Sequence, residues 1–117
     1  MEQYFTKKGD LKHMEKSKVY FTDMRALPGT NLPDKLKKLI RKAGIGEIDF
    51  EKKMTAIKIH FGEPGNLSFL RPNYAKAVAD VVKELGVRPS LTDCNTLYVG
   101  TRKDALEHLR AGYANGF

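Results

Sequence analysis

Apolar residues recur along this chain in two rhythms, and the rhythms alternate. Leu36, Leu39, Ile40 and Ala43 fall at i, i+3, i+4 and i+7, which predicts one helix with its lysines on the opposite face. Asn31 is the expected N-cap, Pro33 suits the first turn, and Gly44 with Gly46 ends the helix. Ala75, Val78, Val82 and Leu85 predict a second helix, begun at Pro72 and stopped by Gly86. A third starts near Asp104, presents Leu106, Leu109 and Tyr113 as its buried face, and stops at Asn115-Gly116. Between the helices lie short runs of strand character: "SKVYFTD" (17–23), residues 54–61, and "RPSLTD" (88–93). "MRALPGTN" reads as a loop turning at Pro28-Gly29, and Tyr98 and Val99 are expected to pack under the third helix.

The resulting order is β-α-β-α-β-α. It predicts an α/β fold with a small parallel sheet, Rossmann-like, its helices packed on the sheet. Three strands leave both sheet edges open, and three helices hardly cover two faces. The chain ends at Phe117, one residue past a helix-stop glycine, where a further strand is expected. We therefore expect residues 17–117 to be the N-terminal part of a larger three-layer domain, and residues 1–16 to be a polar, disordered tail. Self-association through the open sheet edges follows from the same reading.

Composition narrows the class. The 117 residues are 41% hydrophobic and 30% charged, ordinary for one globular domain. The single cysteine, Cys94, excludes an internal disulfide and a cysteine-built metal cluster within this chain, and favours a reducing compartment. No apolar run approaches the roughly 18 residues of a membrane span, and the N-terminus lacks the apolar centre of a secretory signal. A cytoplasmic protein with no membrane partner is expected. The net charge of +7 invites a nucleic-acid reading, yet residues 33–58 carry +4 of it on what reads as a solvated lysine face, and residues 59–117 only +1. That distribution argues against a nucleic-acid partner.

Candidate chemistry collects at the carboxyl ends of the strands, where open parallel sheets gather ligands. His60 ends the second strand and Asp93 the third, and these are the candidate acid–base pair. Lys58 shares a face with His60 and is expected to snorkel to the rim. The loop "GEPGN" matches neither dinucleotide nor P-loop fingerprints, but its glycines allow backbone N–H groups to converge on an anion. Glu63, Asn66 and Arg71 from that loop, with Asn95 and Thr96 from the next, form the expected set around an unidentified small-molecule ligand, an anion or a metal. Cys94 reads as a small buried hydrophobe rather than a nucleophile.

"AIKIHFGEPGNLSFLRP", followed after one helix by "LTDCNTLYVGTRKDALEHLRAGYANGF", closely resembles the family known as domain of unknown function 362, and "SKVYFTDMRA" fits as well. The resemblance covers Ser17 to Phe117. It implies a longer protein of unestablished activity, often bearing a ferredoxin-like module with [4Fe-4S] clusters and a redox role. None of the cluster-binding cysteine motifs is present here, so no cofactor is expected in this chain, and any cluster would belong to a C-terminal portion. The rivals are a non-redox enzyme with its site on the same rim, and a basic interaction module using the lysine-rich helix.

Overall fold

The computed structural model describes residues 16–117. The expected tail over 1–16 lies outside the described residues except for Lys16, which is exposed. The α/β class holds: three helices and a two-stranded parallel sheet alternate along the chain.

Helix α1 (Leu32–Lys42) begins where Asn31 Oδ1 accepts the Asp34 N–H at 2.8 Å. Asp34 in its first turn and Arg41 and Lys42 in its last complement the helix dipole. A short 3-10 turn (Ile45–Glu47) leads to strand β1 (Met54–Lys58). Helix α2 (Pro72–Glu84) starts at a proline, as expected, and buries Ala75, Ala77, Val81 and Val82. Strand β2 (Arg88–Thr92) follows, then helix α3 (Ala105–Ala114), capped by the Asp104 side chain on the Glu107 N–H.

β1 and β2 pair in parallel from Met54↔Arg88 to Lys58↔Thr92, and the Ile59 N–H extends the ladder to Thr92 O at 2.9 Å. Along β1, Thr55 and Ile57 are half-buried while Met54, Ala56 and Lys58 stay exposed, the period-two signature of a sheet covered on one side. The core comprises Phe61, Ala75, Ala77, Val81, Val82, Val87 and Ala111.

Helices α1 and α2 are joined by two ion pairs, Lys37–Asp80 at 3.2 Å and Arg41–Glu84. Both pairs step four residues in the same sense, so the two helices run in the same direction. The lysine-rich face is thus not simply solvated, because two of its cations dock α1 onto α2.

Four expectations fail. The segment 17–23 is not a strand: none of its backbone groups joins the sheet among the described residues, and Val19 and Phe21 are 90% and 85% exposed. Its composition favours a strand, but β character is realised only against a paired neighbour. Instead Asp23 is held by Lys35 and Arg25. On α3 the buried face is His108, Ala111 and Gly112, while Leu106, Leu109 and Tyr113 are exposed. The small residues win because α3 approaches Phe61 closely: a Cβ on Gly112 would sit 3.0 Å from the Phe61 ring. Tyr98 and Val99 are exposed rather than packed under α3, and Leu85 in α2 is exposed where the expected stripe would bury it.

Candidate functional site

The carboxyl ends of β1 and β2 open into two loops, 59–71 and 93–104. Asp93 is the first residue beyond β2, and its side chain is 4% exposed. Its Oδ2 accepts from the Phe61 N–H at 3.0 Å and from Arg102 at 2.8 Å, and faces His108 Nε2 at 3.2 Å. Its Oδ1 accepts from the Cys94 N–H at 2.8 Å. One carboxylate therefore ties the end of β1, the end of β2, the second loop and α3 together.

Arg102, itself 4% exposed, spreads its guanidinium over three partners. Nε donates to Glu63 Oε1 at 2.6 Å, and the two terminal nitrogens donate to Asp93 and to the Tyr98 hydroxyl at 2.8 and 2.9 Å. Glu63 also accepts from Tyr98 at 2.7 Å and from the Thr101 hydroxyl at 3.3 Å. His108 completes the cluster, its Nδ1 lying 2.8 Å from Asn95 Oδ1 and its ring edge-on to Phe61. Among the described residues no buried side-chain polar atom lacks a partner.

The charge states follow from these contacts. Burial alone would raise the Asp93 carboxyl, but the Phe61 and Cys94 amides, His108 and Arg102 overbalance it and hold it well below the usual carboxylate range. Burial likewise works against the Arg102 cation, and Glu63, Tyr98 and Asp93 reverse that, so it is held more firmly protonated than usual. The Glu63 carboxyl is lowered by the Tyr98 hydroxyl first and by Arg102 second.

The first loop is shaped by Gly62. Its φ of +83° suits glycine, and a Cβ there would fall 2.7 Å from both Asn115 and Phe69. The Asn115 side chain in turn donates to the Phe61 carbonyl at 2.8 Å. The loop's amides do not converge on a vacant anion site: Gly62 N–H donates to His60 Nδ1, Asn66 N–H to the Glu63 carbonyl, and Ser68 N–H to Asn66 Oδ1.

The expected site residues divide accordingly. Glu63, Asp93 and Asn95 are brought together, but as members of one bonded cluster. Thr96 lies beside it, its N–H donating to the Arg102 carbonyl and its hydroxyl to the Tyr98 carbonyl. His60 is exposed, with Nδ1 occupied by Gly62. Asn66 is an exposed turn residue, and Arg71 is the exposed residue preceding α2. Cys94 is exposed, not buried, because β2 has ended and only its N–H is drawn inward. His108 was hidden from sequence reasoning by the more apolar leucines beside it. The signal that could have found it is its spacing from Ala111 and Gly112, a small-residue face on which α3 can approach the sheet.

Lys58 reaches the rim as expected. Its Nζ lies 3.5 Å from Asp93 Oδ1 with the side chain 61% exposed. Beside the cluster is a cleft of about 240 Å³ lined by Phe61, Leu91, Asp93, Asn95, His108 and Leu109. A larger cleft, about 600 Å³, lies elsewhere, between α2, β2 and the C-terminal residues. It is less suited to chemistry: among its lining residues the ionisable side chains are Lys76, paired with Asp80, and Lys83. Among the described residues no group of three or more His, Cys, Asp or Glu side chains is placed to hold a metal ion.

Residues 55–117 match the model of the family described as domain of unknown function (DUF362). The chain belongs to this family. The matched stretch begins in β1 and contains every residue of the Asp93–Arg102 cluster. Comparison with curated proteins and with solved structures gives no match. No described helix is long and apolar enough to cross a membrane.

Proposed function

We propose that this DUF362 chain supplies the small-anion-binding rim of a cytoplasmic redox protein, with Lys58 as the principal cation and His60 beside it on the same strand face. One observation carries the reading: Asp93, ion-paired with Lys58 at 3.5 Å, also accepts from two backbone amides and Arg102 and faces His108, so it can release the 61% exposed Lys58 to a ligand and keep its other partners. A buried arginine between two carboxylates is a poor device for stability alone, since desolvation offsets much of the attraction. Its effect here is positional, fixing two loops at the strand ends where ligands of parallel sheets gather. An anion fits this rim better than a metal, because the carboxylates are spent on Arg102 and the amides.

The redox role rests on the family resemblance. A [4Fe-4S] cluster takes four cysteine thiolates, and Cys94 alone does not supply them. No step is assigned to a cluster in this chain.

Isothermal titration with phosphate, pyrophosphate and small dicarboxylates tests the anion reading. At least one should bind, and Lys58→Gln should weaken it by about tenfold while leaving the melting temperature unchanged. Binding that is indifferent to Lys58→Gln and His60→Ala, or no binding from the whole panel, would overturn it.

A further inference from the structure

The fold sorts the basic residues around α1 into two groups. Lys35 is bonded to Asp23, Lys37 to Asp80 and Arg41 to Glu84, so these three serve the structure. Lys38 and Lys42 do not: both are exposed, and neither has a carboxylate within ion-pair distance among the described residues. They stand one turn apart on the same helix face, about 6 Å between Cβ atoms. Lys16 and Lys18, exposed on the irregular segment that precedes α1, add to the same side of the charge balance.

Between the lysine pair and that segment runs an open cleft of about 250 Å³, lined by Phe21, Thr22, Lys35, Lys38, Leu39 and Lys42. Phe21 is the exposed aromatic of this cleft, and Leu39 contributes a second apolar surface. A planar ring with a free face, next to two cations that make no ion pair among the described residues, suits an aromatic base carrying phosphate. An acidic peptide would satisfy the lysines but leave Phe21 unused.

We propose that this cleft binds the nucleotide unit, a base stacked on Phe21 and its phosphates on Lys38 and Lys42, either as a free nucleotide or within a single strand of nucleic acid. The site is separate from the strand-end rim, and neither proposal depends on the other. Base stacking and phosphate neutralisation each leave a distinct signature, because stacking tolerates salt and the phosphate contacts do not.

The test is fluorescence anisotropy of the full 117-residue chain with labelled single strands of about 12 nucleotides, in low and moderate salt, with ATP as competitor. The expected result is salt-sensitive binding, weakened about tenfold by K38E/K42E and about fivefold by Phe21→Ala. Because Phe21 is exposed, Phe21→Ala should leave the melting curve in place, which separates lost stacking from lost folding. Competition by ATP at matched phosphate concentration identifies the free nucleotide as ligand, and failure to compete identifies the strand. The proposal is overturned if neither ligand binds in low salt, if Phe21→Ala binds as well as the parent, or if polyglutamate displaces the strand equally well.

Discussion

Two sets of ion pairs in this molecule differ in where they sit. Between α1 and α2, the half-buried Lys37–Asp80 and the exposed Arg41–Glu84 link the helices near the surface, where water still reaches both pairs. At the strand ends, Arg102 joins Glu63 and Asp93 in a setting where both Arg102 and Asp93 are almost fully removed from water. Attraction between exposed charges is screened and opposed by side-chain entropy, so such pairs add little. A buried charge has no such refuge: once desolvated, it must keep its partners or destabilise the fold. The surface pairs therefore adjust how two helices lie together, whereas the buried cluster determines whether the rim loops have a fixed shape at all.

The sharpest way to break that contrast is Arg102→Met. It leaves Asp93 buried with one partner fewer and Glu63 without its cation, and should cost about 3–5 kcal/mol in urea denaturation. Next is Gly62→Ala, which combines a positive φ with a methyl group driven against Asn115 and Phe69. About 2–3 kcal/mol is expected, with the loss appearing in the aromatic near-ultraviolet signal of the Phe61–Phe117 contact.

The third test is acid. The Asp93 carboxyl lies below its ordinary value of 3.8 in the folded state, so its contribution is complete above that value and is lost as pH falls below it. Glu63 shifts in the same direction. Stability should thus be level between neutral pH and about pH 5 as far as these groups are concerned, then fall steeply in more acid solution. Asp93→Asn should lower stability at neutral pH by about 2 kcal/mol and flatten the acid limb. A limb unchanged in the variant would mean that other carboxylates govern acid unfolding. The smallest effect belongs to the surface set: Lys37→Met with Arg41→Met should move the melting temperature by about 2 °C or less. A shift comparable to that of Arg102→Met would erase the distinction between the two sets.

Much of the fold was legible because its signals are local. Asn31 and Asp104 cap helices through their own side chains, Pro72 opens α2, and β1 and β2 lie within the predicted runs. What failed depends on partners distant in sequence. Residues 17–23 have strand composition, yet a strand needs a neighbour, and composition does not show whether one is reached. On α3, apolarity pointed to Leu106 and Leu109, while the close approach of Gly112 to Phe61 turned the opposite face inward. The site shows the same limit. Asp93 and Glu63 stand out as carboxylates on strand-end loops, but their shared partner Arg102 is nine residues from one and 39 from the other. Pairing of that kind converts two apparent ligand groups into a scaffold, to which Lys58, read from the sequence as a side chain that reaches the rim, adds an exposed cation at 3.5 Å from Asp93.

Amide hydrogen exchange in the parent protein tests the central claim, that the buried cluster fixes the rim, without any substitution. The Phe61 and Cys94 N–H groups lie outside the strands, and both donate to Asp93. The account predicts that they exchange as slowly as the paired amides of β1 and β2. If they exchange as fast as the exposed loop amides of Gly65 and Leu67, the rim is not held by Asp93, and the distinction between the two sets of ion pairs fails.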